Sequence, residues 1–469
     1  MRILFIYPSW TQIYGSYSHA IKARGYMPSL GLCSLAAYVK NKGHEAKIVD
    51  IEPEGKTLAD IIQTIKIYSP GIIAISSTSP VFPMARLLAQ TIKENFSIPI
   101  VIGGAHPTVV PEQVMIGRVF DFAIIGEGEE TLLELVNNLG DKESHKDIAG
   151  LAFRANGNVI INGPRPPLSD LDTLPIPDRR LLDLDNYTFS IPKKGIDRWT
   201  LMMTNRGCPF SCIFCAARTI WGAKIRYRSI PRVLDEIKEI VNDLNIKHIN
   251  ISDDTLTLTQ ERTKELCQAI LGEKLEFTWE GMTRANTVDE KLLQLMKKAG
   301  LVRLSFGIES GDPEILEKMK KGVSLGDIIT AYELTNKLGI ETRGSVMIGN
   351  AFETKESLKR TLKFIRRLKG CMQMYINIAT PYPGTELYHM AKRGEGGITL
   401  LTEDLTEFRR YGNAVMQVND LNRKDLIRWQ KIGFWMFYLT PRRIIYNLKR
   451  AGLRAAIRNV IGFIRSVGF

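Results

Sequence analysis

Cysteine is scarce in this chain, with six among 469 residues, and Cys33 alone precedes Cys208. Cys33, Cys267 and Cys371 stand far apart in segments of regular pattern and read as buried packing residues, for which a reducing compartment is suited. Long apolar runs are absent: no stretch reaches the eighteen or so uninterrupted apolar residues that a spanning helix needs. The opening Met1-Arg-Ile-Leu-Phe-Ile-Tyr-Pro8 has an apolar run too short for a signal peptide and no small-residue cleavage site, which predicts residence in the cytoplasm. No Gly-x-Gly-x-x-Gly follows the first predicted strand, which argues against a dinucleotide. Acidic residues nearly vanish from Leu421 to Phe469, where eight Arg and three Lys face the single Asp425. That stretch carries +10 of the net +13, so the remaining surface is close to balanced and does not read as a nucleic-acid footprint. The 44% hydrophobic and 24% charged residues are ordinary globular values, and the length calls for two or three domains.

Three of the thiols are concentrated in one place. Asn205-Arg-Gly-Cys-Pro-Phe-Ser-Cys-Ile-Phe-Cys215 follows the apolar segment Trp199 to Thr204 and sets Cys208, Cys212 and Cys215 in a Cys-x3-Cys-x2-Cys run. Three thiolates from one short loop can hold three corners of a cubane [4Fe–4S] cluster and leave the fourth iron open to a non-protein ligand. A closed electron-transfer cluster or a zinc knuckle needs a fourth protein ligand, and none stands nearby.

From Met1 to Leu151 the chain alternates short apolar strands with amphipathic helices. Strands are predicted at Ile3–Tyr7, Ala46–Ile51, Gly71–Ser76, Ile98–Ile102 and Phe122–Ile125, which makes residues 1–151 an α/β domain with a doubly wound, flavodoxin-like parallel sheet. Ligands of such sheets bind beyond the carboxyl ends of the strands. Those ends are Pro8-Ser9-Trp10, Ser76-Ser77-Thr78, Gly103-Gly104-Ala105-His106 and Gly126-Glu127-Gly128-Glu129. The runs Gly163–Pro167 and Leu174–Asp178 mark residues 152–195 as a Pro-rich linker, expected to pack across the first domain. Over residues 196–392 the alternation resumes for six βα units, enough for an open barrel but not for the eight of a closed one. Residues 393–469 form a basic helical segment in which Trp429, Phe434, Trp435, Phe437 and Tyr438 precede Arg442, Arg443, Lys449, Arg450, Arg454, Arg458 and Arg465. Two readings stand side by side: peripheral contact with the anionic inner face of a membrane, or a packing helix that closes the open barrel and leaves its arginines solvated.

The Cys-x3-Cys-x-aromatic-Cys pattern, with Phe214 in the aromatic slot, resembles the radical S-adenosylmethionine (radical SAM) enzymes. The resemblance implies a partial (β/α)6 barrel with SAM laid across the carboxyl ends of its strands. It further implies that the open iron is chelated by the methionine half of SAM, and that one-electron cleavage yields a 5′-deoxyadenosyl radical. By the same resemblance Asp253 and Asp254, after the second strand, face the SAM amino group, with one of the two expected to cap the next helix instead. Glu309 and Ser310 in Phe-Gly-Ile-Glu-Ser-Gly hold the ribose hydroxyls, Arg284 takes the SAM carboxylate, and Gly344 and Gly349 admit adenine. The first domain resembles the cobalamin-binding domain. There Ser76 and Thr78 after the third strand, with Gly103 and Gly104 after the fourth, would line the slot for the nucleotide tail of cobalamin. The cobalt-ligating Asp-x-His-x-x-Gly of many such domains is missing, since Ser29-Leu-Gly-Leu-Cys-Ser34 stands where it should fall. His106 reads as a loop residue against the ligand edge rather than a cobalt ligand.

Together these resemblances imply a cobalamin-dependent radical SAM enzyme acting on an unactivated carbon of a hydrophobic or lipid-like substrate, with methylation the expected outcome. A one-electron reductant such as flavodoxin or ferredoxin would serve it. Oxidative cyclisation or rearrangement is the alternative, since the anaerobic magnesium-protoporphyrin ester cyclase shares the architecture. A methylthiotransferase would need three further cluster cysteines before the barrel, where Cys33 stands alone. A membrane-associated scaffold with a structural metal knuckle would not cleave SAM.

Overall fold

The two runs of alternating strands and helices form two separate sheets in a computed structural model of the chain, which describes residues 1–11, 13, 14, 18, 25–192, 194–446 and 448. The first sheet has seven strands: β1 (Arg2–Tyr7), β2 (Glu45–Asp50), β3 (Ile72–Ser76), β4 (Ile100–Gly103), β5 (Phe122–Ile124), β6 (Leu151–Ala155) and β7 (Asn158–Ile161), in the order β2-β1-β3-β4-β5-β6-β7. Strands β1 to β5 are parallel, as expected. Ile3, Leu4, Phe5 and Ile6 of β1 are all fully buried, because helices cover both faces of the central strand and such a position asks for a continuous apolar run.

The first domain reaches further than residue 151. The antiparallel hairpin β6–β7 completes its sheet, so the linker begins only after Ile161. The hairpin turns on Asn156 and Gly157, both at positive φ (51° and 84°), the conformation of a tight turn that matches strand twist. The linker does pack across the first domain: Asp178 pairs with Lys40 at 2.5 Å, and Tyr187 donates to the buried Asp50 at 2.7 Å. A short hairpin, β8 (Thr188–Ile191) with β9 (Gly195–Arg198), then leads into the second sheet.

That sheet is six-stranded and all parallel: β10 (Thr200–Met202), β13 (His248–Ile251), β14 (Thr278–Thr283), β15 (Leu301–Glu309), β16 (Glu341–Ile348) and β17 (Cys371–Ile378), in sequence order across the sheet. The two-stranded ribbon β11 (Asn205–Arg206) with β12 (Arg226–Tyr227) brackets the cysteine loop. Helix starts are written into the chain. Thr57, Ser324, Thr354 and Asn422 each close a capping box with the residue three positions on, satisfying donors the helix itself cannot.

For the basic segment the packing reading holds as far as Tyr438. The helix Arg423–Tyr438 lies against β17, with Leu426, Phe434 and Phe437 buried. The Tyr438 hydroxyl bonds the Met374 backbone on both N and O, at 3.0 and 3.1 Å. Arg443, expected to be solvated, is buried instead. Its guanidinium donates to the Ile365, Arg366 and Leu368 carbonyls at the end of the helix Lys355–Arg367, capping groups that lack intrahelical partners. Lys449, Arg450, Arg454, Arg458 and Arg465 lie outside the described residues. Among the described residues no helix is long and apolar enough to cross a membrane.

Candidate functional site

The cysteine loop hangs from the end of β10 and is tied down by a neighbouring strand end. Asp253, after β13, is fully buried and accepts from the Thr204 amide (2.7 Å), the Thr204 hydroxyl (2.5 Å) and the Asn205 amide (3.3 Å). Burial pushes its carboxyl up to about 6 against the pull of those donors. Its job is therefore to anchor the start of the loop, and neither Asp253 nor Asp254 caps the helix that follows, which starts after Thr259. Gly207 sits at φ 110°, and a Cβ there would come 2.3 Å from the Lys224 carbonyl, so only glycine lets the ribbon close. The far side of the loop is stitched to the barrel by Ile213 N–H to Met319 O (3.2 Å) and Leu387 N–H to Ile213 O (2.7 Å).

All six cysteines are free thiols; Cys33, Cys267 and Cys371 are buried as expected, while Cys208, Cys212 and Cys215 grade from buried to exposed. Burial raises the Cys208 and Cys215 thiols, the latter to about 11, and each feels the charge of the other loop cysteines. Among the described residues no three His, Cys, Asp or Glu side chains converge as a single metal ion would require. The Cys208 and Cys215 thiols each lie near enough to Cys212 to feel its charge, and three thiols carried on one short loop suit a polynuclear cluster bound at three corners. Arg284 donates toward the Cys212 sulfur at 3.8 Å, covers the Phe210 ring at 3.7 Å and bonds the Lys321 and Gly322 carbonyls, so it is built into the wall of the loop. Phe214 lies under the Lys321 ammonium at 5.9 Å.

The other strand ends divide into groups that face the loop and groups the protein uses itself. Asp254 is half-buried near Cys208 and Cys215, its carboxylate has no hydrogen-bond or ion-pair partner among the described residues, and burial raises it. An unmatched carboxylate there suits an ammonium. Glu309, at φ 64°, is held by Lys321 (3.3 Å) and Ser345 (3.3 Å). Ser310 is fully buried and pairs with Thr361 Oγ1 at 3.1 Å. Gly344 and Gly349 are approached by protein rather than open space. A Cβ at Gly344 would meet Met374 Cε and the Tyr332 hydroxyl at 2.7 Å, and one at Gly349 would meet Leu426 at 2.9 Å.

In the first domain Gly104 has φ 99°, and a Cβ there would lie 2.8 Å from the Ser77 carbonyl and 3.2 Å from Ser76 Oγ, so the turn after β4 presses against that after β3. Gly103 continues β4 in register with Ser76. Thr78 is exposed and lines a cavity of about 510 Å³ that reaches from Thr78, Ser79 and Ala105 of the first domain to Ala216, Ile220 and Tyr382 of the second. Small residues and a glycine-backed turn bordering a roomy cleft fit a flat, bulky cofactor at this edge. His106 is fully buried, hydrogen-bonded to Ser79 Oγ at 3.1 Å and packed on Phe82, and burial pulls it down to about 4.

One feature of the seam was not anticipated. Arg206, two residues before Cys208, donates to Glu127 (3.0 Å) and Glu129 (2.6 Å) of the first domain, and Arg226 reaches Glu127 at 2.5 Å. All four side chains are nearly buried. The Gly-Glu-Gly-Glu turn reads locally as a ligand edge, and only the unlike charge beside the cysteine run hints at the pairing.

Comparison with known proteins agrees with this geometry. Residues 202–365 match the model of the radical SAM superfamily and residues 19–136 that of the B12 binding domain. An uncharacterized methyltransferase of Pyrococcus horikoshii is 34% identical over 425 residues, spanning 90% of both chains. The anaerobic magnesium-protoporphyrin IX monomethyl ester cyclase of Rubrivivax gelatinosus is 30% identical, over 95% of this chain and 79% of that one. The solved structure of the radical S-adenosylmethionine methyltransferase TsrM from Kitasatospora setae, with cobalamin and a [4Fe-4S] cluster bound, superposes with a TM-score of 0.73 at 16% identity, covering 94% of this chain and 89% of that one.

Proposed function

The chain belongs to the cobalamin-dependent radical SAM enzymes, with a [4Fe–4S] cluster, SAM and cobalamin as cofactors, and on that premise we propose that it methylates an unactivated carbon of a largely apolar substrate. When bound, the cluster with SAM supplies one-electron cleavage chemistry and cobalamin supplies methyl-carrier chemistry. The chain's own residues hold and aim these groups. Cys208, Cys212 and Cys215 ligate three irons, and Asp253 fixes the loop that carries them. Asp254 takes the SAM ammonium and Glu309 the ribose hydroxyls, with Lys321 and Ser345 setting the Glu309 carboxylate. The Arg284 guanidinium stands beside Cys212 for a carboxylate. On the opposite wall Ser76, Thr78, Gly103 and Gly104 receive the cobalamin tail.

The observation that carries the reading is the shared cavity: one space is bordered both by the strand-end turns of the first domain and by Ala216, next to Cys215. Its lining is aromatic and aliphatic apart from a few hydroxyls and one cation, which favours an apolar body. Oxidative cyclisation is the second reading, favoured by the 30% identity to the ester cyclase along almost the whole chain. A reductant of the flavodoxin or ferredoxin kind completes either cycle.

The test is anaerobic reconstitution with assays for iron, sulfide, the optical spectrum of cobalamin and 5′-deoxyadenosine. Cys212→Ala should lose the cluster and deoxyadenosine formation while the apo fold and the cobalamin spectrum persist. Undiminished SAM cleavage by that variant would defeat the assignment.

A further inference from the structure

Arg410 is the one charged residue among the described lining of the cavity between the domains. Its backbone cannot drift: its carbonyl accepts from Ile378 N–H (3.0 Å) at the end of β17 and from the amide of the fully buried Gln430 (2.9 Å), whose own carbonyl takes Gly412 N–H at 2.9 Å. The neighbouring Arg409 turns the other way and bonds the Ile13 carbonyl at 2.9 Å. The Arg410 side chain is exposed and lines the cavity. Tyr14, Tyr382 and Tyr411 surround it, with Tyr14 hydrogen-bonded to it, and among the described residues no carboxylate pairs with it. Five N–H donors and a full positive charge therefore stand in an aromatic pocket without an anion.

We propose that Arg410 is an anion subsite for the substrate, which is then an amphiphile: an apolar body carrying one carboxylate or phosphate, bound with that group at the β17 edge and its body extending toward Ala216 and Ile220. The inference rests on the cavity being the reaction chamber. The anion is not assigned to SAM, because Asp254 and Glu309 lie at the ends of β13 and β15 whereas Arg410 sits over the edge strand β17, and the slot that opens on the same cavity through Thr78 is separated by the cofactor titration below. Held by a guanidinium at one end of the cavity, the anion fixes which carbon of the body lies beside the cysteine loop.

Two fluorescent probes that share an apolar aromatic body test this: 8-anilinonaphthalene-1-sulfonate, which is anionic, and N-phenyl-1-naphthylamine, which is not. The full chain should bind the sulfonate more tightly. Arg410→Gln should weaken the sulfonate by about tenfold or more and leave the neutral probe within twofold, while Arg410→Lys recovers part of the loss. Equal affinity of the two probes for the unaltered chain, or a sulfonate affinity unmoved in Arg410→Gln, would overturn the proposal. A parallel loss of the neutral probe would too, because it would mean that the pocket itself had gone. Hydroxocobalamin and SAM titrations separate the sources: a tenfold loss of either cofactor in Arg410→Gln would assign the guanidinium to that cofactor and overturn the substrate reading. Failure of the unaltered chain to load cluster and cobalamin would sink the enzymatic reading while leaving the probe comparison standing.

Discussion

The ion pairs across the seam give a sharp prediction. Glu129 is 4% exposed and pairs with Arg206, whereas Glu127 is shared between Arg206 and Arg226. Burial pulls the Arg206 guanidinium down, yet Glu129 and Glu127 together hold it above its ordinary range. Replacing Arg206 by Met keeps an apolar stem but deletes the charged guanidinium, which lies over the Trp221 ring, leaving Glu129 buried without compensation. Stranding one member of a buried pair costs about 3–5 kcal/mol, against about 0–1 kcal/mol for an exposed pair. Urea unfolding at pH 8, followed by tryptophan fluorescence, should show a loss in that higher range that persists at 1 M KCl, since buried charges are little screened. The double variant Arg206→Met, Glu129→Gln should recover most of the loss, because the stranded charge is gone. Cobalamin retained through gel filtration should fall in the single variant, as the cysteine loop and the first domain lose their clamp. A cost below about 1 kcal/mol, or no recovery on adding Glu129→Gln, would show that the seam is held by packing instead.

The adjacent acids after β13 should separate cleanly: Asp254→Asn raises the SAM dissociation constant about tenfold with an unchanged melting temperature, whereas Asp253→Asn lowers the melting temperature and the iron content together. Gly349→Ala meets Leu426 at φ 80° and should cost about 2 kcal/mol in urea unfolding, with part restored by Leu426→Ala. Asp50 is pushed by burial up to about 7, against an ordinary aspartate value of about 3.9. The fold therefore favours its protonated form, and its contribution is present below about pH 4 and lost as pH rises through 7. Asp50→Asn should match the unaltered chain at pH 4 and exceed it at pH 8 by up to about 4 kcal/mol, a gap that equal stabilities at pH 8 would refute.

Much of the fold could be read from periodicity and thiol spacing. The parallel strands of both sheets were legible because their apolar runs and the small residues at their ends obey local rules. The Asn156-Gly157 hairpin obeyed one as well, and a linker boundary drawn at residue 152 passed over it. At the site, spacing put Asp253 and Asp254 at one strand end, but successive residues there point different ways, and which one stays unmatched depends on Thr204, nearly fifty residues earlier. The glycines show the same limit. Gly344 and Gly349 announce close approach, yet the approaching atoms belong to Met374 and Leu426, contacts set by tertiary packing that no local pattern encodes.

The seam and the cavity carry this argument furthest. A charge on a turn signals solvent or ligand unless its partner is known, and Glu127 and Arg206 are 79 positions apart. Two domains that each read as ligand-binding modules could pack in several ways with their strand ends open. Burying Glu127 and Glu129 is tolerable only in the arrangement that brings Arg206 and Arg226 to them, because any other leaves charges desolvated and unpaired. The pairing thus selects the packing that stacks one sheet's carboxyl edge over the other's and encloses the cavity between. Since Arg206 lies two residues before Cys208, the contact that fixes the domains also fixes the cysteine loop relative to the turn after β5, the strand paired with β4. The distance between the two cofactor sites is then set by this buried charge cluster together with the linker, whose Arg179 is buried against Glu236 of the second domain while the adjacent Asp178 holds Lys40 of the first.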